Sequence, residues 1–271
     1  MGGWRKRGLA LACGAAITAG AAAVAPAAEY FPVCLRSTAA VNCGPYLNFQ
    51  LEGGFAPKKL LKLEMAPVAV YLEGRVENSD GTRPPALEEV TLDLDRNTAV
   101  NAVGLPACGK SRLEALGVEA ARRACREAIV GSGVAHFMVE SPQPRVIELP
   151  LTFFNGGVRG GVTTLFLHSS IVTLNSAPVV AITKLRRASK GVYRLEAVTK
   201  IPPIASKTGS VLDFSLTVKR LFEQDGLRSG YVMARCADDR LQARETLVFS
   251  DGTVVGGTLL RGCTPRPHPD A

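Results

Sequence analysis

Tryptophan and histidine are both scarce in this chain of 271 residues. The one tryptophan is Trp4, and the three histidines are His136, His168 and His268. Tryptophan is the best aromatic platform for stacking, so its scarcity argues against a sugar-stacking surface. No two histidines have the spacing of zinc ligands, so the sequence predicts no metal site.

Long apolar runs are also missing, except at the N-terminus. A basic run at residues 5–7 precedes small and apolar residues over 8–25. Ala25-Pro26-Ala27 then fits the small-x-small pattern that signal peptidase cleaves. The sequence therefore predicts a signal peptide over residues 1–27.

This signal peptide has two alternatives. A membrane anchor needs ~20 apolar residues, but the run here is rich in alanine and glycine, whose transfer into lipid is only weakly favourable. Lipid attachment at Cys13 is the other, although the preceding residues resemble a lipobox only loosely. We predict cleavage and a protein that is secreted or held in the cell envelope.

The charge of the chain is only mildly positive. Three basic residues and no acids lie in the predicted signal, so the formal net charge of +8 falls to +5 in the mature chain. That excess is too small for a nucleic-acid footprint, and we predict no nucleic-acid partner. The mature length, about 244 residues, suits one large β domain or two small ones.

Six cysteines remain after the predicted cleavage. An even number in an exported chain indicates a disulfide framework, and six cysteines allow 15 connectivities. We predict that nearest neighbours pair, because each pair then closes a loop of modest length. The predicted disulfides are Cys34–Cys43, Cys108–Cys125 and Cys236–Cys263.

The mature sequence is typical of β-structure. Alternating or β-branched apolar residues predict strands over 68–76, 90–94, 146–154, 162–173, 178–186, 192–200, 211–219, 229–236, 241–249 and 254–262. One helix is predicted over 112–129, with a capping box formed by Ser111 and Glu114. The fold expected is mainly β, an antiparallel β-sandwich with one α-helix, bonded by disulfides.

The predicted organisation has three parts after the signal. An irregular N-terminal extension with a disulfide covers residues 28–56, the β-sandwich domain covers 57–265, and a tail covers 266–271. Ser-Asp-Gly-Thr occurs at 79–82 and 250–253. Turns recruit these residue types, so we interpret the repeat as two independent turns; the alternative is a duplicated domain.

A stretch at 104–111 matches the phosphate-loop formula G-x-x-x-x-G-K-[ST]. The context argues against that function, because the preceding strand is weak and Cys108 within the loop is predicted to be bridged. Gly109 and Lys110 are better explained as a turn, and Ser111 as a helix cap. We predict no nucleotide and no cofactor.

Asp93, Asp95 and Asn97 resemble the start of a calcium loop. Such a loop needs glycine at its sixth position and glutamate at its twelfth, where this chain has Thr98 and Gly104. The aspartates are therefore predicted to lie on the solvent face of a strand.

Nucleophilic catalysis has no local signature here. His168 precedes Ser169 and Ser170, but adjacent residues on a strand point to opposite faces, and no G-x-S-x-G elbow occurs. A hydrolase with a Ser and a His brought together from distant positions stays open as an alternative, and we assign no catalytic residue.

The segment 184–220 carries nine basic residues and two acidic ones. If two strands present the basic residues together, they form a patch for an anionic cell-wall polymer or a membrane surface. The alternative is an ordinary solvated face. The candidate patch consists of Lys184, Arg186, Arg187, Lys190, Arg194 and Lys200.

Several stretches together resemble a family of uncharacterised exported proteins from high-GC actinobacteria. They are Gly54-Phe-Ala-Pro-Lys-Lys-Leu60, Ser79-Asp-Gly-Thr-Arg-Pro-Pro-Ala-Leu87, Gly104-Leu-Pro-Ala-Cys108, Ala128-Ile-Val-Gly-Ser-Gly133, Phe154-Asn-Gly-Gly157, Ser250-Asp-Gly-Thr253 and Cys263-Thr-Pro265. The family has no assigned activity, so the resemblance implies export and a single architecture but no site residues.

From these observations we predict a non-enzymatic protein of the cell envelope or extracellular space, with a binding or structural role. The alternatives are the dispersed Ser/His hydrolase and a small-ligand carrier. A carrier would need an apolar cavity between the sheets.

Overall fold

The computed structural model describes residues 41–42, 47–140, 143–171, 177–204 and 209–266. The predicted signal peptide, Cys34 and Cys43 lie outside these residues. The described chain is mostly antiparallel β-structure, as predicted, with short helical segments between two of the strands.

The strands follow one another along the chain with few interruptions. They are β1 Val41–Asn42, β2 Leu47–Ala56, β3 Lys59–Leu61, β4 Ala66–Asn78, β5 Leu87–Asp95, β6 Thr98–Val100, β7 Ile129–Val139, β8 Arg145–Arg159, β9 Val162–Ile171, β10 Ala177–Lys190, β11 Tyr193–Lys200, β12 Ser210–Val218, β13 Leu221–Gln224, β14 Leu227–Gly230, β15 Val232–Ala234, β16 Arg240–Phe249, β17 Val254–Gly262 and β18 Thr264–Arg266. The helices are α1 Lys110–Glu114 and α2 Val118–Ala124, followed by a 3₁₀ turn at Arg126–Ala128.

One large sheet contains most of these strands. Its order is β1-β2-β4-β12-β7-β8-β9-β10-β11-β5-β16-β17, and β15 and β6 extend it from β4. Long strands between β4 and β11 belong to consecutive antiparallel pairs, so the interior face of each strand carries every second residue.

The sheet bends until its two ends meet. Arg261 on β17 donates a hydrogen bond from Nε to the carbonyl oxygen of Gly53 on β2. Side chains of β2, such as Leu51, pack in one buried cluster with Leu247 on β16 and Leu259 on β17. The two halves of the sheet therefore face each other across an apolar interior, which gives the sandwich-like arrangement.

Two disulfides join the pairs predicted from loop length. Cys108 bonds Cys125, with Cα atoms 5.8 Å apart, and Cys236 bonds Cys263, with Cα atoms 5.9 Å apart. Cys236 and Cys263 follow the ends of β15 and β17, so neither has to reach across an intervening strand.

The predicted long helix is wrong in detail. Helix α1 ends at Glu114, and α2 begins only after Gly117, because glycine favours an extended backbone over a continuous helix there. The N-cap of α1 is Gly109 without a side-chain cap, so the predicted capping box is not formed. Lys110 instead pairs with Glu114, with Nζ 2.5 Å from Oε1.

The sequence analysis missed two of the long strands. Residues 47–56 were placed in the irregular extension, but they form β2, and residues 129–139, of which only residue 129 was assigned to the helix, form β7. Gly131 and Gly133 kept the sequence pattern from predicting β7, because glycine is depleted in strands. They are needed because an added Cβ would collide with the carbonyl oxygens of Thr217 and Ser215 on β12.

Both copies of Ser-Asp-Gly-Thr form turns, as interpreted from the sequence. The Asp80 carboxylate accepts hydrogen bonds from the amide and hydroxyl of Thr82, and Asp251 does the same for Thr253. Gly252 has a φ of 89° and lies in the predicted hairpin between β16 and β17. The motif is thus local turn chemistry.

Candidate functional site

An apolar cavity of about 300 Å³ lies inside the bent sheet. Nine consecutive strands of the sheet line it, from β4 through β12 and β7 to β16. Further lining comes from β6, from β15 and from Ile201, Pro202 and Ile204, which follow β11. The strict alternation of the strands builds this cavity, because each strand contributes its inward apolar residues.

Small residues in the lining leave space in the cavity. Ala135, Ala181 and Ala197 each point inward from a different strand, and larger residues such as Phe137 and Phe153 form the walls. The hydroxyl groups of Thr183 and Thr199 lie in the lining but hydrogen-bond each other, with their oxygens 2.8 Å apart. These paired hydroxyls add little polarity.

Three polar atoms in the lining have no hydrogen-bond partner among the residues that the structure describes. They are Glu245 Oε2, the Tyr231 hydroxyl and Ser169 Oγ, all on residues no more than 3% exposed. Buried polar atoms are normally hydrogen-bonded, and an unpaired one costs about 1–3 kcal/mol. Three of them facing one apolar cavity therefore mark it as more than a packing defect.

Glu245 is the most unusual of the three. Burial raises the pKa of its carboxyl group to about 8, and no cation of the described residues offsets this effect. Glu245 is therefore a neutral acid at pH 7. Burial also raises the pKa of Tyr231, so its phenol stays protonated.

The outer face of the neighbouring strands is charged, and its acids are paired. Asp93 on β5 contacts Lys190 Nζ at 2.9 Å and Arg244 Nη2 at 2.6 Å. Glu196 on β11 contacts Arg186 Nε at 2.7 Å and also pairs with Lys190. Asp93 is thus buried beneath two cations and does not lie on a solvent face, contrary to the sequence prediction.

Several residues of the predicted basic patch are ion-paired in the same way. Arg186 and Lys190 pair with Glu196, and Lys200 Nζ lies 3.5 Å from Glu89 Oε2. The acids of β5 lie outside the segment 184–220. A charge count over that segment alone therefore overestimates the excess of positive charge on this face. Lys184 donates to Thr164, Arg194 donates to the Gly191 carbonyl, and Arg187 is exposed.

His168 lies on the outer face, where it fixes the helical segment to the sheet. Its Nε2 donates to the carbonyl oxygens of Leu113 and Leu116, at 3.1 and 2.9 Å. Burial lowers the pKa of this imidazole, and the two carbonyl contacts only partly offset the effect. Ser169, the next residue, faces the cavity, so the two side chains lie on opposite sides of the sheet.

His136 lies at the surface between two acids. Its Nδ1 is 2.6 Å from Asp213 Oδ1, and its Nε2 is 3.5 Å from Glu148 Oε2. Among the described residues, neither His136 nor His168 has a hydrogen bond to a serine. This geometry gives the hydrolase alternative no support.

The phosphate-loop match lies in a bridged turn. Cys108 donates its amide to the Asn155 carbonyl, and the Asn155 side chain donates to the carbonyls of Leu105 and Pro106. Hydrogen bonds to its carbonyl oxygens thus help to hold the loop in place. The helix after the loop has only five residues. The described ranges contain no group of three or more metal-ligating side chains.

Glu245 and Tyr231 were not singled out in the sequence. Glu245 did carry a signal, because it occupies an inward position in the alternating series Leu241, Ala243, Glu245, Leu247 and Phe249. An acid in an otherwise apolar series is rarely buried without a reason. Tyr231 lies between two short strands and carried no comparable pattern.

Comparisons with known proteins leave the site to be interpreted from its own geometry. The chain matches no protein-family model, no curated protein and no solved structure. Within the described part of the chain, no helix has both the length and the apolar character needed to span a membrane.

Proposed function

We propose that this protein binds a small, mainly apolar molecule in the cavity of its bent sheet. The observation that carries the proposal is the cavity itself, which has about 300 Å³ and walls of aliphatic and aromatic side chains. Ligand sites are typically apolar concavities of roughly 300–1,000 Å³ with a few convergent polar groups. The carrier alternative from the sequence is therefore the function that the geometry supports best.

The size and chemistry of the cavity limit the ligand. An engineered apolar cavity of ~150 Å³ binds benzene, so twice that volume suits a molecule of on the order of a dozen heavy atoms. The lining is almost wholly aliphatic and aromatic, with isolated polar atoms at Glu245, Tyr231 and Ser169. A strongly hydrated ligand would lose its water here without enough replacement hydrogen bonds.

We also propose that binding takes place outside the cytoplasm. The disulfides Cys108–Cys125 and Cys236–Cys263 support this location, because disulfides persist in oxidising compartments. The predicted signal peptide and the predicted role of a non-enzymatic envelope or extracellular protein are consistent with it.

The test is binding of the uncharged fluorophore 1-N-phenylnaphthylamine to the disulfide-bonded mature chain, residues 28–271. Ala181→Leu places three extra carbon atoms in the cavity and should weaken binding at least tenfold. The matched control is Val180→Leu, on the same strand but packed on the outer face against the helical segment. It should leave the affinity within about twofold of wild type.

Failure of wild type to bind the fluorophore, or equal affinity for wild type and Ala181→Leu, would contradict the proposal. Circular dichroism of each variant checks that the sheet is intact. Val180→Leu weakening binding as much as Ala181→Leu would place the fluorophore outside the cavity and would also contradict it.

A further inference from the structure

We propose that Glu245, a buried cavity-lining residue with an unpaired carboxyl oxygen, is the polar anchor of the cavity and hydrogen-bonds an oxygen atom of an uncharged ligand. The ligand class is an apolar chain or ring that carries a carbonyl, ester or hydroxyl oxygen. This inference rests on the proposed function, which describes the apolar part of the ligand. It adds the polar group that the ligand should carry.

The position of Glu245 supports this role. It lies in the middle of β16, opposite Leu92 on β5 and Gly257 on β17. Leu92 lines the same cavity, and Gly257 brings no side chain, so neither neighbouring strand places a polar partner beside the carboxyl group. A buried carboxyl group without a protein partner gains a hydrogen bond when a ligand supplies one.

The charged groups nearby do not reach it. Arg244 precedes Glu245 on β16 and Asp93 adjoins Leu92 on β5, but both point to the outer face, where they pair with each other. When the lining residues of every element around the cavity are considered, the titratable side chains among them are Glu245 and Tyr231. Within the described lining, Glu245 therefore faces apolar walls and no cation.

Neutrality defines what Glu245 can recognise. With a pKa of about 8, the carboxyl group keeps its proton at pH 7 and can donate that proton in a hydrogen bond. A ketone, ester or alcohol oxygen accepts such a bond without bringing a charge into the cavity. A ligand carboxylate would place a bare negative charge in apolar surroundings, which costs several kcal/mol.

Tyr231 supplies a second unpartnered group near the same row of residues. Glu245 lies opposite Leu92, Leu92 opposite Ala197, and Ala197 opposite Leu185. Tyr231 packs in the buried cluster that contains Leu185 and Ala197, with Leu92 against it. Its hydroxyl has no hydrogen-bond partner among the described residues, so it is a second donor that the lining offers to a ligand oxygen.

The experiment is calorimetric titration of the mature chain with 2-decanone, an uncharged probe with one carbonyl oxygen. Glu245→Leu removes the donor and should weaken 2-decanone binding about five- to tenfold, the range for one hydrogen bond. Glu245→Gln keeps a donor and should stay close to wild type. Thr246→Val, the outward neighbour on β16, is the matched control and should not change the affinity.

The pH dependence provides an independent readout. Wild-type affinity for 2-decanone should be constant at pH 6–7 and fall above about pH 8, because the ionised carboxylate cannot donate. Glu245→Gln should show no such fall. All four proteins should bind 1-N-phenylnaphthylamine, which does not depend on an oxygen acceptor.

Two results would overturn the inference alone. One is equal 2-decanone affinity for wild type and Glu245→Leu while both bind the fluorophore. The other is tighter binding of decylammonium than of 2-decanone, which would show that Glu245 ionises to receive a cation. Loss of fluorophore binding by wild type would instead overturn the proposed function.

Discussion

The two faces of β5 and β16 shift the pKa of a buried acid in opposite directions. On the outer face, Asp93 is buried, yet Lys190 and Arg244 hydrogen-bond it, and these bonds outweigh burial and lower its pKa. On the inner face, Glu245 has no such partner in the described part of the chain, and burial raises its pKa. Arg244 and Glu245 are adjacent residues, and successive side chains of a strand point to opposite faces of the sheet. This alternation alone places the two residues in different environments.

This difference separates a structural acid from a candidate binding acid. The outer acids Asp93 and Glu196 hold β5, β10, β11 and β16 together through paired charges. Glu245 forms no comparable pair, so its burial costs free energy in the unliganded protein. A buried group that lowers stability without stabilising the fold through a contact of its own is typical of functional sites.

The largest effect expected from this comparison is on the pH dependence of stability. Glu245 binds a proton in the folded state up to about pH 8 but, when unfolded, only below its ordinary pKa of 4.5. Its contribution to stability is therefore fully present below pH 4.5 and is lost as pH rises to about 8. The loss from Glu245 between pH 5 and pH 8 is about 3–4 kcal/mol.

Urea unfolding of wild type and Glu245→Leu at pH 5, 6, 7 and 8 measures this loss. The difference in the free energy of unfolding between the two proteins should grow in favour of Glu245→Leu as pH rises. Other titrating groups cancel in that difference. A constant difference across this range would mean that Glu245 is ionised or paired in the folded protein.

A smaller effect is expected on the outer face. Asp93→Asn leaves Lys190 and Arg244 without their shared carboxylate and should lower the free energy of unfolding by about 2–3 kcal/mol at pH 7. The two cations are about two-fifths exposed, so the loss is below that for a fully buried pair. Urea unfolding measures it.

Glu89→Gln is the control for Asp93→Asn. Glu89 is also on β5, but its contact with Lys200 is long, at 3.5 Å, and Lys200 is exposed. We expect a change below about 0.5 kcal/mol. A loss as large as that for Asp93→Asn would show that the outer ion pairs do not depend on burial.

The smallest effect concerns His136 at the outer surface. The hydrogen bond that His136 donates to the Asp213 carboxylate raises the pKa of His136 despite partial desolvation, and the nearby Glu148 adds to this effect. Its contribution to stability is present below pH 6.5 and is lost as pH rises through the raised pKa. The pair is exposed, so the contribution is a few tenths of a kcal/mol.

An NMR titration of the imidazole resonances measures this shift directly. His136 should titrate above its ordinary value in wild type and move back toward it in Asp213→Asn. His168 should titrate below its ordinary value in both proteins, because burial lowers its pKa. An unchanged His136 titration in Asp213→Asn would contradict the assigned contact.

The parts of the fold that depend on local pattern could be predicted from the sequence. The strand at 241–249 and its hairpin at Asp251-Gly252 follow from alternation and turn chemistry. The two described disulfides follow from short loops. The strand at 129–139 could not be predicted, because Gly131 and Gly133 are there for the close approach of β12, which is a contact distant in sequence.

The candidate site could be predicted only in outline. A carrier was an alternative, but no sequence pattern shows that nine strands curve around one space. The alternation did place Glu245 on the inward side of β16, whereas the absence of a cation near it depends on the opposite walls of the cavity. The basic segment was overestimated for the same reason, because Asp93 and Glu89 approach it from β5.

The most direct test is a crystal structure of the mature chain with 2-decanone brominated at its far carbon, located by the anomalous signal of bromine. We predict the bromine within the apolar cavity and the ketone oxygen within hydrogen-bond distance of Glu245. Bromine only on the outer surface, with the cavity unoccupied at saturating ligand, would contradict the account.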